Sequence, residues 1–265
     1  MTDGPLPPPG APGGPIGANP SFFDLIRTRP EALPSSLAVT GPVEVTQGTT
    51  VLGLRFTDGI VMAGDRRATA GYTIADAKMR KVFAADDLSA IAIAGAAGQA
   101  VETVKLFQLE LEHYEKLTGD RLSLEGKANR LAQMIRANFP LAMQGLVVVP
   151  LFGGYDEARS EGRLFFYDAT GGRWEEEDYQ ATGSGAQPAK NSLKKRWRSG
   201  LARDEAIRVA VEALIDAAED DVATGGPDLA RGILPVVLTV TAQGAVESTD
   251  EEITAAVREV LEARS

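Results

Sequence analysis

The 265-residue chain has no cysteine and one histidine, and among its charges 27 lysines and arginines stand against 37 aspartates and glutamates. Without cysteine there is no disulfide, thiol nucleophile or thiolate metal site, which fits a reducing compartment. With His113 alone, a histidine-rich metal site is excluded, and a Ser-His-Asp triad has a single candidate base. That base is poorly placed, since "LFQLELEHYEKL" reads as a helix whose face carries His113. A net charge of −10 opposes nucleic-acid binding, because a phosphate backbone would be repelled. The longest apolar runs, such as "SAIAIAGAAGQAV", are too short or too glycine-rich to cross a bilayer, and no secretory signal is expected at the N-terminus. Hydrophobic residues at 44% and charged residues at 24% are ordinary for a globular protein with a sizeable core.

Composition divides the chain near Gly48. Residues 1–20 are dominated by proline and glycine, and disorder is expected there because too little apolar surface is available to offset ordering. Within 21–34 Ser21 can cap a short helix presenting Phe22, Phe23, Leu25 and Ile26, a candidate docking element, and 34–48 reads as an extended tether. The pattern then changes. "TTVLGLRF" and "GIVMAGDR" form an expected hairpin around "TDG", and "KVFAADDLSAIAIAG" a second, turned at Asp86 and Asp87. Helices are expected from Ala97 to about Leu117 and from Ser123 to about Phe139. Strands return in "GLVVVPLFGGYD" and "GRLFFYDATG". Helices follow over "AKNSLKKRWRSG" and "ARDEAIRVAVEALIDAAEDD", then a hairpin in "ILPVVLTVTAQGAVES" and a terminal helix. Blocks of strands alternating with blocks of helices indicate an α+β layered fold.

"VTQGTTVLGLRF" places Thr49 directly after Gly48 at the mouth of a strand. A threonine hydroxyl needs a base. The side-chain bases available are carboxylates and lysines; a further one would be the α-amine of Thr49 itself if the chain were cut after Gly48, with an intrinsic pKa of about 7.7–8.0. Thr50 needs to be no more than the second residue of the strand.

Taken together, "GTT", "MAGDRRAT", "MRKVF", "AIAGAAGQA", "GSG" after "YQAT" and "DDVATGGPDL" resemble a proteasome β-subunit of the bacterial, actinobacterial 20S type, over essentially Thr49 to Ser265. The resemblance implies an N-terminal nucleophile hydrolase fold, a four-layer αββα sandwich. It implies residues 1–48 as a removable propeptide and 49–265 as the catalytic domain of a threonine endopeptidase, freed by autocatalytic cleavage between Gly48 and Thr49. Thr49 then matches the nucleophile, and Asp65 and Lys81 the buried acid and base beside it. Gly95 matches the oxyanion-binding backbone, Ser184 the serine near the threonine amine and Asp221 the acid that orients it. Thr224 stands where many members carry serine, keeping the hydroxyl. Substrate is expected to pair as a strand around Thr69, Gly95 and Ala97. The first specificity pocket matches Ala68, Met79, Phe83, Ile93, Ala97 and Val101, all apolar, so chymotrypsin-like cleavage is expected. No cofactor is called for.

The partners implied are a homo-heptameric β-ring, proteasome α-subunit rings, a ring ATPase regulator and substrates tagged with a ubiquitin-like protein, in a cytoplasmic particle, with no nucleic acid and no membrane. Read alone, Asp65-Arg66-Arg67 suits a solvated turn, Lys81 a strand-edge charge, and "KKRWRSG" a solvated basic face or a contact to an acidic neighbour. Alternatives are a non-catalytic ring scaffold, which would be expected to lack one of Thr49, Asp65 or Lys81, a small-molecule amidase of the wider nucleophile class, which would want a polar pocket, and a binding module, which leaves the motifs unexplained.

Overall fold

The computed structural model describes residues 49–70 and 73–264; the expectations for residues 1–48, including the docking helix and Gly48, lie outside them. The described residues contain twelve strands and six helices. The first hairpin joins β1 (Thr50–Phe56) to β2 (Gly59–Gly64) through Thr57-Asp58, with Phe56 opposite Gly59. The second joins β5 (Val82–Asp86) to β6 (Ser89–Gly95). Its turn sits one residue later than expected, because Asp86 Oδ1 accepts from the Leu88 N–H and the Ser89 hydroxyl and so belongs to the strand end.

Two five-stranded antiparallel sheets result. The first runs β10-β1-β2-β11-β12, adding β10 (Tyr179–Gly183), β11 (Val236–Thr241) and β12 (Gly244–Glu247). The second runs β5-β6-β7-β8-β9, adding β7 (Val148–Asp156), β8 (Glu161–Tyr167) and β9 (Arg173–Glu176). A separate two-stranded ribbon, β3 (Ala68–Ala70) with β4 (Thr73–Asp76), follows β2.

Alternation along the strands sorts the buried residues into three cores. On β2, Ile60 and Met62 point between the sheets while Val61 and Ala63 point away; on β6, Ala90, Ala92 and Ala94 face the other sheet while Ile91 and Ile93 face helices. The outer face of the second sheet is covered by α1 (Ala97–Thr118) and α2 (Leu124–Ala137), with Phe107 edge-on to Phe152 at 5.6 Å between centroids. The short α3 (Phe139–Ala142) follows. The outer face of the first sheet is covered by α4 (Ala186–Arg196), α5 (Arg203–Asp220) and α6 (Asp250–Glu262). Helices, sheet, sheet, helices is the four-layer order. Between the sheets the alanines of β6 pack with Val51, Ile60, Met62, Leu151 and Leu164, and each enclosed Leu, Ile, Val or Met contributes about 1.5–3 kcal/mol relative to exposure.

Local signals account for the helix ends. Ser123 caps α2 by accepting the Gly126 N–H, and Thr249 and Glu252 form a reciprocal capping box on α6. The helix expected over "AKNSLKKRWRSG" stops at Arg196. Trp197 adopts an extended conformation, donates its indole N–H to the Arg55 carbonyl at 2.9 Å and packs beside Tyr179. Lys194 and Lys195 are exposed, whereas Arg196 and Arg198 pair with Glu212 and Glu205 of α5. His113 lies exposed on α1.

Candidate active site

β1 lies between β10 and β2, and Thr49 sits at its leading end. The Ser184 N–H donates to the Thr49 carbonyl at 2.9 Å. Gly183 makes this approach possible: its φ is +107°, and a Cβ there would stand 1.8 Å from the Thr49 carbonyl oxygen. Thr49 is 5% exposed and, with Gly95, Val147, Gly183 and Ser184, lines an open cleft of about 280 Å³. Gly95 ends β6 with φ +115°, and a Cβ there would meet the Val147 carbonyl at 2.0 Å.

Behind the cleft Asp65 follows β2 and Lys81 precedes β5, so the two sheets bring them together. Lys81 Nζ donates to Asp65 Oδ1 at 2.5 Å and to the Arg67 carbonyl at 2.5 Å; neither side chain of the ion pair is exposed. Asp65 Oδ1 also accepts the Thr50 N–H at 2.9 Å, and Oδ2 accepts the N–H groups of Arg67 and Gly225, each at 2.8 Å. Four donors thus converge on one buried carboxylate, which offsets its desolvation. Burial pulls the Lys81 ammonium below the usual lysine range, against the attraction of Asp65. The pair stands one peptide from Thr49.

The second group adjoins the first through neighbouring residues, Thr224 bonding Asp221 and Gly225 bonding Asp65. Asp221 Oδ2 accepts the Ser184 hydroxyl at 2.5 Å and the Thr224 hydroxyl at 2.6 Å. Burial pushes the Asp221 carboxyl up, but hydrogen bonds from Ser184 and Thr224, with the Lys81 charge, hold it below the usual carboxylate range. The Thr49 nitrogen faces Ser184 Oγ at 3.4 Å. Thr49, Asp65, Lys81, Gly95, Ser184, Asp221 and Thr224 therefore lie together around the cleft and the contacts behind it.

Three further residues complete this arrangement. Thr50 is fully buried, and its hydroxyl lies 2.6 Å from that of Thr224 and accepts the Gly185 N–H at 2.9 Å. The reading of Thr50 as an ordinary strand residue is corrected by these bonds, made to partners 135 and 174 residues away. Arg67 belongs to no free turn: its guanidinium donates to the carbonyls of Val222 and Thr224. Gly185 has no room for a side chain, since a Cβ would stand 2.5 Å from Thr50 Oγ1 and 2.6 Å from Thr224 Oγ1. The adjacent pairs "TT" and "RR" were the available signals, and neither identifies a distant partner.

The expected pocket residues lie outside the lining of the Thr49 cleft. Ala68 and Thr69 are buried on β3, Met79 and Phe83 are half-buried before and within β5, and Ala97 and Val101 are half-buried on the first turns of α1. Ile93 is 1% exposed within the sheet–α1 core, so its side chain backs the wall and does not form its surface.

Residues 45–228, spanning both groups, match the family described as proteasome subunit. The chain belongs to the proteasome subunit family. Proteasome relatives include curated proteins named "Proteasome subunit beta". That of Streptomyces griseus is 54% identical over 248 residues, covering 92% of this chain and 88% of the relative. That of Frankia casuarinae is 51% identical over 248 residues, covering 92% and 90%. The proteasome fold, a layered α+β sandwich of the N-terminal nucleophile hydrolases, agrees with the four layers and three cores described above. Among the described residues no helix is long and apolar enough to cross a membrane.

Proposed function

We propose that this chain is a catalytic β-type subunit of a 20S proteasome core, a threonine endopeptidase whose Thr49 is freed by its own cleavage of the Gly48–Thr49 bond. The observation that carries the reading is Thr49 at the cleft, with the buried Asp65–Lys81 pair one peptide behind it and the Ser184–Asp221 pair at its nitrogen.

In processing, the Thr49 hydroxyl oxygen attacks the Gly48 carbonyl carbon. The Gly48–Thr49 C–N bond breaks as its nitrogen takes up the hydroxyl proton, and the resulting ester is hydrolysed by water. The freed α-amine, near pKa 7.7–8.0 in isolation, then acts as base for the same hydroxyl. In peptide hydrolysis the hydroxyl oxygen attacks the scissile carbonyl, and the developing oxyanion faces the Gly95 N–H. The leaving amine departs with the proton held by the α-amine, and water releases the acyl group by the reverse proton path. The Lys81 charge favours ionisation of the hydroxyl and keeps the amine neutral near working pH, while Asp65 holds Lys81.

Preference for apolar side chains is proposed from the resemblance, which assigns the pocket to Ala68, Met79, Phe83, Ile93, Ala97 and Val101, all apolar though outside the lining of the Thr49 cleft, with substrate paired as a strand along Thr69, Gly95 and Ala97. Assembly is proposed as a homo-heptameric β-ring between α-subunit rings in the cytoplasm, fed by a ring ATPase with proteins carrying a ubiquitin-like tag. The leader aids assembly through Phe22 to Ile26.

The test is the intact mass of the chain before and after mixing with α-subunit. A product beginning at Thr49, absent together with peptidase activity in Thr49→Ala, is expected; Thr49→Ala that still loses its leader at Gly48 overturns the mechanism. Peptides ending in tyrosine or leucine should be cleaved faster than those ending in arginine or glutamate. Deleting residues 1–48 should alter the assembly rate.

A further inference from the structure

Hydroxyl groups carry one hydrogen each, so a chain of them has a direction set by its ends. At one end stands the Asp221 carboxylate, an acceptor. The Ser184 and Thr224 hydroxyls both donate to its Oδ2, at 2.5 and 2.6 Å; Ser184 Oγ also lies 3.4 Å from the Thr49 carbonyl oxygen, but the short bond to the carboxylate takes its only hydrogen, as it takes that of Thr224. Thr224 Oγ1 must then be the acceptor in its 2.6 Å contact with Thr50, and Thr50 the donor. At the other end the Gly185 N–H, a donor, points at Thr50 Oγ1 from 2.9 Å. Every link agrees in sense: Gly185 N–H to Thr50, Thr50 to Thr224, Thr224 to Asp221. Ser184, its hydrogen on Asp221, faces the Thr49 nitrogen with a lone pair.

We propose that the Thr50 hydroxyl is a positioning group for catalysis: it clamps the Ser184–Gly185 peptide and the Thr224 side chain that holds Asp221, and so fixes Ser184 as an acceptor toward the nitrogen of Thr49. The inference rests on the functional reading above. Its chemical consequence concerns the freed amine. An acceptor at Ser184 takes one amine hydrogen, leaves the nitrogen lone pair for the proton of the Thr49 hydroxyl and stabilises the ammonium that results. A donor there would compete for that lone pair. The space around the clamp supports the same conclusion, since no side chain fits at Gly185 beside the two threonine hydroxyls. The residue following the nucleophile thus organises the groups that receive the nucleophile's proton.

The test compares Thr50→Ser, Thr50→Ala and Thr50→Val in particles assembled with α-subunit, with Thr49→Ala as the control. Thr50→Ala and Thr50→Val are expected to lower kcat about tenfold, equivalent to about 1.4 kcal/mol in the barrier, with KM changed by less than about twofold. Thr50→Ser is expected to stay within about twofold of the parent. Where Thr50→Val does not assemble, the Ser and Ala variants, both smaller than threonine, decide. Equal kcat in Ser and Ala variants overturns the proposal, as does a loss in Val alone, which would be steric. A parent particle without Thr49-dependent hydrolysis refutes the functional reading and this inference with it. A parent particle with such hydrolysis and unaffected Thr50 variants refutes the inference alone.

Discussion

Lys81 Nζ lies 2.5 Å from Asp65 Oδ1 with both side chains fully buried, yet the two partners are not equally supported. Without Lys81, Asp65 keeps the N–H donors of Thr50, Arg67 and Gly225. Without Asp65, the described hydrogen bonds leave the Lys81 ammonium the Arg67 carbonyl. Asp65→Ala is therefore expected to cost about 3–5 kcal/mol, the range for an orphaned buried charge. Lys81→Met, which fills the same volume without a charge, should cost clearly less. Urea unfolding of the purified chains checks the order, and a reversed order refutes the argument. Both variants should lose Thr49-dependent hydrolysis.

Gly183→Ala should be damaging out of proportion to one methyl group. Its φ of +107° and the 1.8 Å approach of a Cβ to the Thr49 carbonyl require the strand to retreat from the residue it positions. Backbone strain of this kind costs about 1–3 kcal/mol. Leader removal followed by mass spectrometry should be slowed at least as strongly as the fold is destabilised. Unchanged processing would show that Thr49 is held without β10.

Thr224→Ser separates hydroxyl from methyl. Thr224 is fully buried, so losing the methyl should cost about 1 kcal/mol of stability. The bonds to Asp221 and Thr50 are retained, and peptide hydrolysis should stay within about twofold. Thr224→Val keeps the volume and loses the chain of bonds, so its hydrolysis should fall. Activity lost in both would assign the role to shape.

Acid stability should depend on Arg163. This buried guanidinium pairs with Asp156, Glu125 and Glu175 at 2.6–2.9 Å and lies over the Phe165 ring at 4.9 Å. Bonds from Arg173 and Arg163 hold the Glu125 carboxyl below the usual range, and the bond from Arg163 does so for Glu175. Carboxyls depressed in the folded state contribute stability that is complete above their unfolded values, about pH 4.3, and is lost as pH falls through the folded values. Arg163→Met removes the depression of Glu175 and part of that of Glu125, which keeps Arg173, and leaves Asp156, Glu125 and Glu175 without their shared cation. Its acid unfolding midpoint, followed by circular dichroism, should move to higher pH; an unchanged midpoint would refute the assignment.

The parts legible in the sequence were those written in local chemistry. The "TDG" turn, the alternation of β2 and β6, and the Ser123 cap each act within a few residues, and these elements lie within a residue or two of where the sequence puts them. The β3–β4 ribbon escaped because all four residues of β4 are exposed, so no apolar alternation marks it. The end of α4 escaped because Trp197 is drawn inward by the Arg55 carbonyl, a partner 142 residues distant. At the site, the motif resemblance located residues that converge in the fold. Thr50 and Arg67 carry no local mark in the sequence, because their contacts are bonds to main-chain and side-chain groups far along the chain.

Chain ends ordinarily fray. An end created before Thr49 would not, because β1 is flanked on both sides, with Thr50 opposite Gly183 on one neighbour and Val51 opposite Gly64 on the other. Under the proposed mechanism, the search for a reactive orientation would be completed during folding and would not be repeated at each turnover. Folding the sheet would then give the Thr49 hydroxyl a high effective concentration toward a carbonyl in the cleft.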